Sequence, residues 1–266
     1  MSTSTLTGAG NQFVGNGYDP RTAHFWGRKG VKIALPTKAD LGAAALGDAD
    51  FLIKAATGTE IPDAAETVTY LASATDASPH DAAAQTTTVN GVTVWDVRDG
   101  ATYGRNLVSV VTHATSIVAM TILLSGYDYT GQAMSELHTI TATGTSKTAT
   151  GSKAFAYIAS VSLTAAADAS ANTVNIGTGA VLGLPFKLAA AGDVMQASLG
   201  GVQELVNVAS NATVVAAVTI AATNATGDVR GTVTFTGALD GTKRPIVWYH
   251  VADPASRAGV AGVPQA

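Results

Sequence analysis

Between residues 86 and 251 the chain is a succession of short runs rich in Val, Ile, Thr and aromatic residues, each cut off by Gly, Asn, Asp or Ser. Runs of this length separated by turn residues build antiparallel sheets that pack face to face or close into barrels. The sharpest single signal is Asn90-Gly91, standing between Thr87-Thr88-Val89 and Val92-Thr93-Val94-Trp95. Both residues tolerate the positive φ angles of a type I′ turn, so the spacing predicts a hairpin over residues 86–97. Further strands are expected at 106–111, 116–125, 137–143, 173–176, 214–220, 229–235 and 246–251. Over residues 153–163, Phe155, Tyr157, Ala159, Val161 and Leu163 share one face while Ala156, Ser160 and Ser162 share the other. That is the period of two of a half-buried strand, and Ile158 alone breaks it.

Helical periodicity is confined to one short candidate. Thr37 can cap a helix over 38–46, with Asp40 at its third position, Leu41 and Ala45 on one face and Gly47 at its end. The Ala-rich stretch 165–172 reads as a polar connection rather than a helix. Residues 1–30 show no alternation and many glycines, yet they carry Phe13, Tyr18, Phe25 and Trp26. A disordered tail would be poor in aromatics, so this arm is expected to order against its own core or a neighbour. The fold class expected is all-β, a β-sandwich or jelly-roll-like domain with an extended N-terminal arm. The arm covers 1–30, the β-rich domain 31–253, in one piece or two divided near 115, and a C-terminal tail 254–266.

Composition narrows the function classes. Charged residues make up 13% and the net charge is −4. Fifteen Lys and Arg spread through 266 residues leave no basic footprint for phosphate neutralisation, so no nucleic-acid partner is expected. The longest apolar run, residues 117–124, is far short of the roughly 20 residues that cross a bilayer, so no membrane partner is expected either. Met1-Ser2-Thr3-Ser4-Thr5-Leu6 carries neither a basic nor an apolar leader segment, and the chain has no Cys, both in keeping with a cytoplasmic product. A surface covered by Thr, Ser, Asn and Gly suits a densely packed assembly, where charges would be desolvated on contact.

The residues of catalysis are scattered. His24, His80, His113, His138 and His250 form no pair at metal-ligand spacing, and only Asp76, His80 and Asp81 cluster, in a loop-like segment read as solvated. Asp128 and Glu136 are the one conceivable carboxylate pair; each is expected in or beside a turn, accepting backbone hydrogen bonds. Gly177-Thr178-Gly179-Ala180-Val181-Leu182-Gly183 misses the dinucleotide-binding spacing by one residue and is followed by Pro185, so a β-turn with permissive glycines is expected instead. No catalytic residue, cofactor or metal is expected. Trp95 and Trp248 could stack on sugars, but core packing explains each more simply.

Five stretches in order carry a resemblance: Ser125-Gly126-Tyr127-Asp128-Tyr129-Thr130-Gly131-Gln132-Ala133-Met134-Ser135-Glu136; Gly151-Ser152-Lys153-Ala154-Phe155-Ala156-Tyr157-Ile158; Val174-Asn175-Ile176-Gly177-Thr178-Gly179-Ala180-Val181-Leu182-Gly183-Leu184-Pro185-Phe186; Gly227-Asp228-Val229-Arg230-Gly231-Thr232-Val233; and Asp240-Gly241-Thr242-Lys243. Together they resemble tailed-bacteriophage virion structural proteins, including capsid decoration (cement) proteins, over residues 116 to 253. The resemblance implies a non-enzymatic subunit on the capsid exterior, assembled in the bacterial cytoplasm. Its partners would be the major capsid protein and copies of itself, as a trimer on a local threefold axis. Phe13, Tyr18, Phe25, Trp26 and Arg28 are the candidate partner-binding residues, being of the types that dominate interface energy. A tail, baseplate or spike component, and a carbohydrate-binding β domain, are the alternative readings.

Overall fold

The computed structural model describes residues 35–57, 61, 67–71, 85–165, 169–185, 194–204, 212–215 and 232–251. The N-terminal arm, with its five candidate residues, and the C-terminal tail lie outside them. The described chain is an all-β, sandwich-like domain of three antiparallel sheets.

The first sheet runs in the order β9 (Ser146–Thr150), β6 (Arg105–Thr112), β11 (Thr173–Gly183), β15 (Thr232–Phe235), β14 (Ala212–Val215), with β2 (Ile53–Ala56) also paired to β11. The second runs β4 (Gln85–Val89), β5 (Val92–Asp96), β10 (Tyr157–Ala165), β7 (Met120–Tyr127), β8 (Ala133–Ile140), with β3 (Thr67–Leu71) also on β10. The third is β13 (Val202–Glu204), β12 (Val194–Leu199), β16 (Pro245–Val251), β1 (Leu35–Asp40).

Each strand sits where its alternation can be buried. Leu107 and Val111 of β6 and Val174 and Ile176 of β11 meet Ile122 and Leu124 of β7, Met134 and Ile140 of β8 and Val161 and Leu163 of β10 in one core. Phe155 is fully buried there, worth about 1.5–3 kcal/mol of hydrophobic stabilisation. Its backbone exchanges both hydrogen bonds with Arg105 at 2.9 Å, joining the approach to β10 onto β6. A second core gathers Ala197, Leu199, Val247 and Tyr249 of the third sheet with Leu182, Val233 and Phe235 of the first. Strand β11 serves both cores, through Val174 and Ile176 at one end and Leu182 at the other.

The Asn90-Gly91 hairpin is present as expected, with φ of 51° and 81° at the two turn residues. The break at Ile158 also has a cause. The register of β10 on β7 shifts between Ile158 and Ser160, so an extra residue reverses the alternation and Ile158 is buried in phase with Val161 and Leu163. Two expectations are corrected. Residues 38–46 are not helical: Leu35–Asp40 is an edge strand, Gly42 has φ +85°, and Leu41 donates its N–H to the Pro245 carbonyl, so sheet pairing outcompetes the local cap. Residues 173–183 are one continuous strand, not a strand followed by a glycine turn. Gly177 and Gly179 stand inside it because other groups approach too closely for a side chain: the backbone of Asp48–Asp50 at Gly177, and the Asn106 amide at Gly179. At residues 169–171 the chain makes a single 3-10 turn, in keeping with a connection.

Candidate functional site

Among the described residues two places concentrate groups able to do something beyond packing: a polar row between the first two sheets, and the outward face of the third.

Strand β8 alternates Met134, Glu136, His138 and Ile140 toward the interior, and β6 presents Ser109 from the opposite sheet. Ser109 Oγ lies 2.8 Å from His138 Nδ1, and His138 Nε2 lies 3.6 Å from Glu136 Oε2. Glu136 Oε1 accepts the Ser152 N–H at 3.0 Å. A methyl group at Gly151 would collide with Glu136 Oε2 and His138, so glycine there closes the row. The residue types are those of a nucleophile relay, but Ser109 and His138 are buried, so no substrate reaches Oγ without parting the sheets. The arrangement is a polar cross-tie between the sheets. Glu136 is therefore not a turn residue, as expected from sequence, but an inward strand residue. The sequence signal was available: Met134 and Ile140 flank Glu136 and His138 at the same parity.

Neighbouring buried polar groups are spent in the same way. Arg105 is fully buried, its Nε donating to the Gly179 carbonyl at 2.9 Å and its Nη1 to Asp99 Oδ2 at 3.0 Å. Asn106 donates to the Gly151 carbonyl at 2.7 Å and accepts the Val181 N–H at 2.9 Å. Asn172 bonds both backbone groups of Val118, and the Lys153 ammonium donates to the Ser135 carbonyl at 2.8 Å.

Asp128 does sit in a turn, accepting the N–H groups of Thr130 and Gln132 at 2.8 and 2.9 Å. Beside it, Tyr129 donates its hydroxyl to the Pro185 carbonyl at 2.9 Å. Burial, then the Asp128 charge, then Tyr103 push the Tyr129 phenol up to about 12. Folding thus favours the neutral phenol, a contribution fully present below the ordinary tyrosine range near 10 and lost as pH rises toward 12. In a phenolate absorbance titration, the wild-type minus Tyr129→Phe difference is expected to appear only near pH 12. A difference rising near pH 10 would contradict the burial of this hydroxyl.

On the third sheet Val194, Ala197, Leu199, Val247 and Tyr249 face inward. The register sets Gln196 opposite Trp248, and Ser198 opposite both Ile246 and Gln203, on the outward face. Trp248 is 41% exposed there, and the Lys38 ammonium lies 5.6 Å from its ring centroid. Core packing thus holds for Trp95, which is buried, and fails for Trp248. A shallow hollow of about 320 Å³ also opens at the end of the second sheet, among Met120, Thr121, Thr139, Ile140 and Thr164, none of them titratable.

Asp76, His80 and Asp81 lie outside the described residues, as do Phe13, Tyr18, Phe25, Trp26 and Arg28. Among the described residues no group of three or more metal-ligating side chains converges, and no helix is long and apolar enough to cross a membrane. No protein-family model, curated protein or solved structure matches the chain.

Proposed function

We propose that the protein is a structural subunit of a tailed-phage particle, binding and stabilising the capsid shell as a decoration or cement protein. The observation supporting this most is the character of the exposed strand surface. Thr86, Thr87 and Thr88 of β4, Thr93 of β5 and Ser146, Thr148 and Thr150 of β9 are all exposed and all carry an uncharged hydroxyl. Such a surface packs against neighbours without the cost of desolvating ions. Contacts to several coat subunits at once would multiply modest affinities by roughly 10²–10⁴.

Two measurements test the reading. Cryo-EM of the intact particle is expected to show density for this chain on the head exterior; density in the tail would move it to the tail-component reading. Attachment of the purified protein to heads assembled without it should depend weakly on salt, because screening acts chiefly on exposed charge pairs. A steep loss of attachment between low and moderate salt would contradict an interface made mostly of uncharged groups. The half-exposed Trp248 favours one other reading, a carbohydrate-binding domain, which a glycan-binding screen tests.

A further inference from the structure

We infer that the outward face of the third sheet docks a partner protein whose contacting patch is apolar and carries a carboxylate opposite Lys38. This deepens the reading of the chain as a structural subunit and rests on it.

Two of the five exposed large hydrophobic side chains among the described residues lie on this face, Met195 at 56% and Trp248 at 41%, while Val202, at 71%, stands at the sheet's end opposite inward-facing Leu199. Their placement has a cause in the backbone. The register of β12 on β16 shifts between Val194 and Gln196, so Met195 is the extra residue and is turned out of the core while its neighbours keep their pairing. Trp and Met are enriched where protein surfaces meet and Lys, Asp and Glu are depleted. Here the aromatic and the thioether are joined by half-buried Ile246 and bordered by Gln196, Ser198 and Gln203.

Charge identifies the missing half. Asp40 is held by Arg244 at 2.9 Å and by the Gly42 N–H at 3.1 Å, and Lys243 is held by Asp240 at 3.0 Å. Among the described residues Lys38 forms no ion pair of its own: it lies over the Trp248 ring and acts only on the Asp40 carboxylate that Arg244 already holds. An ammonium poised over an indole at the margin of an apolar patch is complemented by an acidic side chain arriving with the partner.

The experiment is co-sedimentation of the purified full chain with heads assembled without it, with thermal melting in parallel. Trp248→Ser and Met195→Ser are expected to weaken attachment at least tenfold, and Lys38→Glu more than Lys38→Gln. Val92→Ser, at an exposed valine of the second sheet, should attach like wild type. Met195 and Lys38 are exposed, so their variants report on docking even if Trp248→Ser lowers the melting temperature. Wild-type attachment by Lys38→Glu and Met195→Ser would overturn the docking face while leaving the structural-subunit reading intact. Failure of the wild-type chain to sediment with heads would overturn both. Saturable quenching of tryptophan fluorescence by a sialylated or uronate oligosaccharide, lost in Trp248→Ser, would replace the protein partner with a glycan.

Discussion

Arg105→Ala is expected to cost about 3–5 kcal/mol of folding free energy, enough to consume a large share of a domain's usual margin. The substitution empties a fully buried site and removes two donors from the Gly179 carbonyl, which lies in the middle of β11. It also strips Asp99 of its counter-ion. Burial pushes the Asp99 carboxyl up and the Arg105 guanidinium down, each against the pull of the other's charge. Desolvation therefore outweighs attraction, which by itself would favour an apolar pair. Arg105→Met combined with Asp99→Leu should nonetheless stay below wild type, because the Gly179 carbonyl is still orphaned. Asp99→Asn keeps an acceptor for Nη1 and should cost less, on the order of 1–3 kcal/mol. Urea unfolding of the four proteins checks the order through their midpoints at constant slope. An Arg105→Ala midpoint equal to wild type would show that the guanidinium holds nothing together.

What the sequence disclosed was whatever depends on neighbours in the chain. The hairpin at Asn90-Gly91 follows from the φ preferences of two adjacent residues, and the inward and outward faces of β6 follow from simple alternation. What it hid depends on partners far away. The edge strand at Leu35–Asp40 joins β16 across about two hundred residues, and only that pairing decides against the helix its Thr37 and Asp40 suggest. Trp248 lies in the run Ile246-Val247-Trp248-Tyr249, which is apolar at every position, so no alternation told which faces are buried. The register against Val194, Gln196 and Ala197 makes that choice. Ser109 and His138 are 29 residues apart and on different sheets, so their contact could not be read from spacing. The parity shared by Glu136 and His138 with Met134 and Ile140 could have been read, and it is the one part of that row legible from sequence.

Gly177→Ala is expected to be at least as damaging as any single loss of a buried side chain, although it adds only a methyl group. The Cβ would be driven into the Asp48 carbonyl and crowd Asp50 N at 2.7 Å, all of it backbone. A flexible side chain could swing away; this loop cannot, because Asp48 O accepts the Thr178 N–H at 2.7 Å and Leu52 N–H donates to Ile176 O at 2.8 Å. Making room breaks those bonds and lifts Leu52 and Ile53 from the main core. Overpacking alone costs about 1–3 kcal/mol, and the lost hydrogen bonds add roughly 0.5–1.5 kcal/mol each. Gly91→Ala is the matched comparison. A methyl group there meets nothing within 4 Å, and only the φ of +81° opposes it, at about 1–2 kcal/mol. Thermal melting should therefore place Gly91→Ala modestly below wild type and Gly177→Ala far below it or in the insoluble fraction. Equal losses at the two positions would mean that the Asp48–Asp50 backbone shifts aside at little cost, so that close approach is not what requires glycine at 177.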